Sequence, residues 1–141
     1  MKKNIITFVI LTSFLTTAFS QKESNVINLT KADFLSKVYN YEKNTEWKYE
    51  GSKPCIIDLY ANWCKPCRMV APIVEEIANE YKDRIIVYKI DTDKERELFR
   101  FVGIETIPTF IFIPLEGKPA VARGAMPKEE FEKYINQFLL K

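Results

Sequence analysis

Apolar and polar positions along the chain follow two periods, and the switches between them mark an alternation of strands and helices. Val26-Ile27-Asn28-Leu29 suits a short strand, and Thr30 with Asp33 three residues later resembles an N-cap opening a helix that carries Phe34, Leu35 and Val38. Residues 54–61 are almost continuously apolar, the pattern of a strand covered on both faces and hence of a central strand. Between residues 66 and 81, Met69, Val70, Ile73, Val74, Ile77 and Ala78 recur at three- and four-residue steps, which is helical spacing, with Pro72 expected to kink the helix. Residues 84–90 form another β-branched run, residues 95–101 a short amphipathic helix, and residues 109–113 a third apolar strand. Strands alternating with helices imply crossover pairing and an α/β fold. After a turn at Glu116-Gly117, residues 118–123 read as a short edge strand. Pro127 then suits the first turn of a last helix whose Phe131, Tyr134, Ile135 and Phe138 face the core. The polar stretch 40–53 reads as a solvated connection.

The first twenty residues break this pattern. Lys2 and Lys3 precede an apolar stretch from residue 5 to about 18, and Ala18-Phe19-Ser20 sets small residues two apart. This is the layout of a secretory signal peptide, residues 1–20, with cleavage expected after Ser20 and one domain at 21–141. A retained anchor fits less well, because the run contains Thr and Ser and falls short of the roughly 20 apolar residues needed to span a bilayer. No cysteine follows the run to carry a lipid. The mature chain is therefore expected to be exported, to a periplasm by preference, where no glutathione pool keeps thiols reduced.

Composition narrows the chemistry. The chain has 141 residues, 47% of them hydrophobic, enough for one core. Lys2 and Lys3 account for the whole excess of 21 cationic over 19 acidic side chains. A neutral remainder with no basic run leaves no electrostatic footprint for nucleic acid or anionic lipid. There is no His, so imidazole-based catalytic pairs and most transition-metal sites are excluded.

What remains reactive is Trp63-Cys64-Lys65-Pro66-Cys67, placed where the buried strand gives way to a helix. The first thiol then sits at the exposed helix start, beside unpaired amide N–H groups that favour thiolate, and the second lies one turn behind it. That spacing permits a reversible cycle of attack and resolution. Lys65 adds positive charge between the sulfurs, and Pro66 stiffens the loop. Zinc would need about four ligands, and one further Cys with no His cannot supply them. An inert disulfide closing so small a ring would be a poor staple. Cys55, nine residues before Cys64 along an extended run, lies roughly 30 Å from it at strand rise and reads as a small buried hydrophobe.

The stretch Asp58-Leu-Tyr-Ala-Asn-Trp-Cys-Lys-Pro-Cys-Arg-Met-Val-Ala-Pro72 resembles the active site of the thioredoxin family, and Thr106-Ile107-Pro108-Thr109 resembles its cis-proline loop. The similarity runs from about Val26 to the C-terminus. It implies a three-layer α/β/α thioredoxin fold around a mixed sheet of about five strands. It also implies Cys64 as nucleophile, Cys67 as resolving thiol, and a cis Pro108 packed against the disulfide. Ile107 would pair its backbone with an extended substrate segment, and Trp63, Lys65, Pro66, Ile107 and the Gly124-Ala125 loop would form the contact surface. Asp58, an acid inside an apolar strand, should have a raised pKa and assist deprotonation of Cys67, with Lys89 on the neighbouring strand close enough to pair with it. The chain departs from the family at Lys65, in place of the usual Gly, and at Tyr60, in place of a common Trp.

The implied activity is thiol–disulfide exchange on exported proteins without cofactor or metal, acting as a monomer and as a reductase re-reduced by a membrane electron-donor protein. Disulfide formation in the same compartment is the alternative, and a peptide-binding or chaperone-like module with incidental thiols is a third reading. Trp47 and Tyr49 in the long connection offer a further place for a partner, against the solvated reading.

Overall fold

The computed structural model describes residues 23–141, so the expected signal segment lies outside the described residues. Along the chain come β1 (Val26–Asn28), α1 (Lys31–Lys37), β2 (Cys55–Tyr60), α2 (Lys65–Tyr81), β3 (Ile86–Asp91), α3 (Arg96–Val102), β4 (Thr109–Ile113), β5 (Ala120–Arg123) and α4 (Lys128–Tyr134). The strands form one sheet in the order β1-β3-β2-β4-β5. β1 and β2 run parallel to β3, whereas β4 runs antiparallel to both β2 and β5. The nearly unbroken apolar run of residues 54–61 thus becomes the middle strand, as its lack of alternation requires.

Side chains leave successive strand positions toward opposite faces, so β2 feeds two cores. Ile56 packs with Val70, Val74 and Ile77 of α2 and with Phe110, Phe112 and Phe131, while Cys55, Ile57 and Leu59 pack with Phe34 of α1 and Leu98 of α3. α1 opens with a capping box: Thr30 accepts from the Asp33 amide and the Asp33 carboxylate accepts from the Thr30 amide. α3 ends on Gly103, whose φ of 67° is the left-handed conformation that glycine adopts without strain.

The structure refines the sequence expectations at several points. The connection 40–53 is not simply solvated: the Trp47 ring lies 4.9 Å from that of Tyr39, its Nε1 donates to Gly117 O at 3.1 Å, and Tyr49 Oη donates to Lys53 O at 2.6 Å. Trp47 and Tyr49 both pack on the α1/α3-side core, so these aromatics serve the fold instead of standing out for a partner. The edge strand starts at Ala120, two residues later than its pattern suggests, and Pro127 caps α4 from outside its first turn. Finally, α4 passes into a π-helical segment (Ile135–Leu139) that brings Ile135 and Leu139 into the core, with Phe138 half-buried and packed against it as expected.

Candidate active site

β2 delivers its last residues to one rim of the sheet, and the chain turns there into α2. Cys64 is the N-cap of α2 and is joined to Cys67 by a disulfide, with 5.3 Å between their Cα atoms. The Cys64 sulfur also accepts from the Cys67 amide at 3.2 Å. A sulfur in that position faces amide N–H groups that the helix leaves unpaired, together with the positive end of its dipole. Pro66 in the first turn sacrifices an amide that would have had no helical partner. Pro72 is carried inside α2, which continues to Tyr81.

Sequence position predicts an exposed first sulfur, whereas Cys64 and Cys67 each keep only 4% of their surface accessible. The reason is local packing: Ala61, Tyr60 and Ile107 close around the pair. The rim about this narrow opening is accessible, with Trp63 69% exposed and Lys65 and Pro66 exposed. Trp63 is held in place by Asp93, whose Oδ2 accepts from the indole Nε1 at 2.9 Å. Asp93 owes its position to the β3–α3 turn, where Asp91 Oδ1 accepts from the Asp93 amide at 3.0 Å and Thr92 binds Tyr60 O through both its amide and its hydroxyl. Nothing in the sequence pattern singled out Asp93. The acid-rich turn Asp91-Thr92-Asp93 was the available signal, without a hint of its indole partner.

Antiparallel β4 brings a second loop to the same rim. Thr109, its first residue, pairs with Leu59 near the end of β2, so the preceding Ile107 and Pro108 arrive beside the disulfide. The Ile107–Pro108 bond is cis, Pro108 is buried and Ile107 half-buried. Ile107 precedes the β4 ladder, which leaves its backbone outside the sheet. Gly124 donates its amide to Pro108 O at 2.8 Å and holds a φ of 88°, a conformation costly for any residue with a Cβ. Ala125 beside it is exposed. Trp63, Lys65, Pro66, Ile107, Gly124 and Ala125 thus come from three loops that converge on one rim.

Asp58 and Lys89 are register partners across β2 and β3. Asp58 is 6% exposed, one of its carboxyl oxygens is buried with no hydrogen-bond donor, and burial pushes its pKa from the ordinary 3.8 to about 7 despite the opposing charge of Lys89. The expected direct pair is not formed: among the described residues no ion pair joins them, and the Lys89 ammonium lies 5.9 Å from the centre of the Tyr60 ring. Cys55 is free and fully buried in the opposite core, where burial drives its thiol up to about 12. It takes no part in the site.

Comparison with known proteins adds an independent line. A family model described as Thioredoxin matches residues 25–137. A thioredoxin of Borreliella burgdorferi is 45% identical over 112 residues, covering 79% of this chain and 96% of that protein. A thioredoxin of Pyropia yezoensis is 34% identical, covering 82% of this chain and 98% of its own. Among solved structures, a thioredoxin of Malassezia sympodialis superposes with a TM-score of 0.66 at 27% identity, covering 82% of this chain and 91% of that one.

Proposed function

The chain belongs to the thioredoxin family and is a thiol–disulfide oxidoreductase, and from that premise we propose that it works as a reductase of disulfides in exported proteins. The observation that carries the chemistry is the Cys64 sulfur at the N-cap of α2, hydrogen-bonded by the amide of the Cys67 to which it is joined. In the reduced protein, the Cys64 thiolate attacks one sulfur of a substrate disulfide, forming a mixed disulfide and releasing the other substrate sulfur as thiolate. Cys67 gives up its proton and attacks the Cys64 sulfur, which frees the second substrate thiolate and leaves the Cys64–Cys67 disulfide. Two electrons pass to the substrate, and its two sulfurs take up protons.

Asp58 is the base for the Cys67 proton in this reading, because a carboxyl that titrates near neutrality takes up and returns a proton without a large penalty either way. An extended substrate segment lies along Ile107, whose backbone the sheet leaves unused, with Pro108 against the disulfide. Trp63, Lys65, Pro66 and the Gly124-Ala125 loop complete the contact. Export rests on the signal-like pattern of residues 1–20. A reductase in an oxidising compartment needs reduction from elsewhere, and a membrane protein carrying dithiol electrons is the partner proposed, with the chain acting as a monomer.

The reduction potential tests the direction. A value around −270 mV, as in thioredoxin, supports the reductase; one around −120 mV, as in the strong periplasmic oxidant, overturns it in favour of disulfide formation. Lys65, which favours the reduced form, is the feature on the side of the oxidase. Substitution of Cys67 alone by Ser should trap exported proteins as mixed disulfides on Cys64.

A further inference from the structure

On the sheet face covered by α2, Lys89 has two acceptors within reach. The Asp58 carboxylate lies directly across the β2–β3 register, and the Tyr60 ring lies one step diagonally beyond it. The ammonium leans to the ring, 5.9 Å from its centre, at the outer edge of the range where a cation is drawn to an aromatic face. Tyr60 cannot withdraw easily: its carbonyl accepts from Thr92 N at 2.9 Å and Thr92 Oγ1 at 3.1 Å, and its side chain packs on the cluster of Ala61, Cys64 and Cys67. One oxygen of Asp58 is meanwhile left buried without a donor. Its other surroundings offer no replacement, with Phe110 opposite on β4, Asp91 as the remaining acid on β3, and no charged side chain among the buried residues of α2, whose Cys67 is tied up in the disulfide.

We propose that Tyr60 is a positioning residue for the exchange chemistry, its ring holding the Lys89 ammonium off the Asp58 carboxylate so that Asp58 stays free to take the proton of Cys67. An ammonium in direct contact would hold the carboxylate charged and make it a poor base at neutral pH. An ammonium held at the ring still balances some of the charge of a deprotonated Asp58 without locking it in that form. This gives Tyr60 a role through Lys89 and not through substrate contact. The consequence for turnover rests on the disulfide-exchange reading above; the clamp itself does not.

The test is the carboxyl titration of Asp58 in the oxidised protein, where Cys64 and Cys67 are paired and do not titrate, followed by carbon-13 NMR of aspartate-labelled chain. Tyr60→Leu should lower the Asp58 midpoint by about one pH unit as Lys89 turns to it. Tyr60→Phe and Tyr60→Trp, which keep a ring, should leave the midpoint in place and serve as folded controls. In a Lys89→Met background, Tyr60→Leu should no longer move it. The proposal is overturned if Tyr60→Leu leaves the midpoint unchanged, or if a shift of the same size persists without Lys89, since water admitted by the smaller side chain would then be the cause. If the titrations behave as expected but the reduced wild-type protein fails to reduce a protein disulfide, the clamp stands and the functional reading falls.

Discussion

Trp63 donates its indole N–H to the Asp93 carboxylate at 2.9 Å, and this bond tethers a largely exposed ring in the residue next to Cys64. Asp93→Ala releases the ring. A hydrogen bond to a charged but exposed acceptor is worth about 1 kcal/mol, so the rate on a protein disulfide should fall about fivefold while the fold is retained. Stopped-flow reduction of a disulfide-bonded protein, with Trp63 fluorescence as the reporter of ring mobility, measures both.

The buried acid makes stability depend on pH with a definite sign. Unfolded, Asp58 titrates at its ordinary 3.8; folded, burial raises it to about 7. Between these values the native chain binds more protons than the unfolded one, so the contribution is full below about pH 4 and is lost as pH rises through 7. A gap of this size corresponds to about 4 kcal/mol. Urea unfolding of the oxidised protein from pH 4 to pH 8 should show the decline, and Asp58→Asn should flatten it and exceed the parent in stability at pH 8.

Cys55 should be silent toward electrophiles. Its thiol is fully buried and raised to about 12, so at pH 8 almost none is thiolate. Mass spectrometry after maleimide treatment of the reduced native protein should find Cys55 unmodified, and addition of denaturant should expose it to labelling. Labelling under native conditions would contradict its placement in the core.

Trp47 belongs to the fold, and its loss should register as instability with no effect on turnover. Trp47→Ala removes a half-buried ring packed on Tyr39 and the donor to Gly117 O. The expected cost is about 2 kcal/mol in urea unfolding, below the range for a fully buried aromatic. An unchanged rate of disulfide reduction would accompany it.

Much of this is legible in the sequence because the relevant signals are local. The nearly unbroken apolar run of β2, the three-and-four spacing of α2, and the Thr30–Asp33 cap each encode their element within one short stretch of chain. The disulfide pair was legible for the same reason, since Cys64 and Cys67 sit at a strand-to-helix junction. What escaped depends on geometry that forms only when distant segments meet. Trp47 and Tyr49 are scattered among charged residues, and the packing of Trp47 on Tyr39 and its hydrogen bond to Gly117 connect segments without a shared pattern. The π-helical register after Tyr134 shifts a hydrogen bond by one residue and leaves the apolar spacing almost unaltered. Lys89 was expected beside Asp58 only through the resemblance, and the strand register puts it there, yet its preference for Tyr60 is decided by side-chain direction.

The reversal of β4 divides the molecule into a working pole and a spare one. Because β4 starts beside the end of β2 and finishes beside Cys55 at its beginning, the link to β5 at residues 114–119 emerges at the end of the sheet remote from the sulfurs. Extra chain spliced into that link would lengthen only the idle end. It is therefore the place to attach a dye, a surface tether or a second module while leaving electron exchange intact.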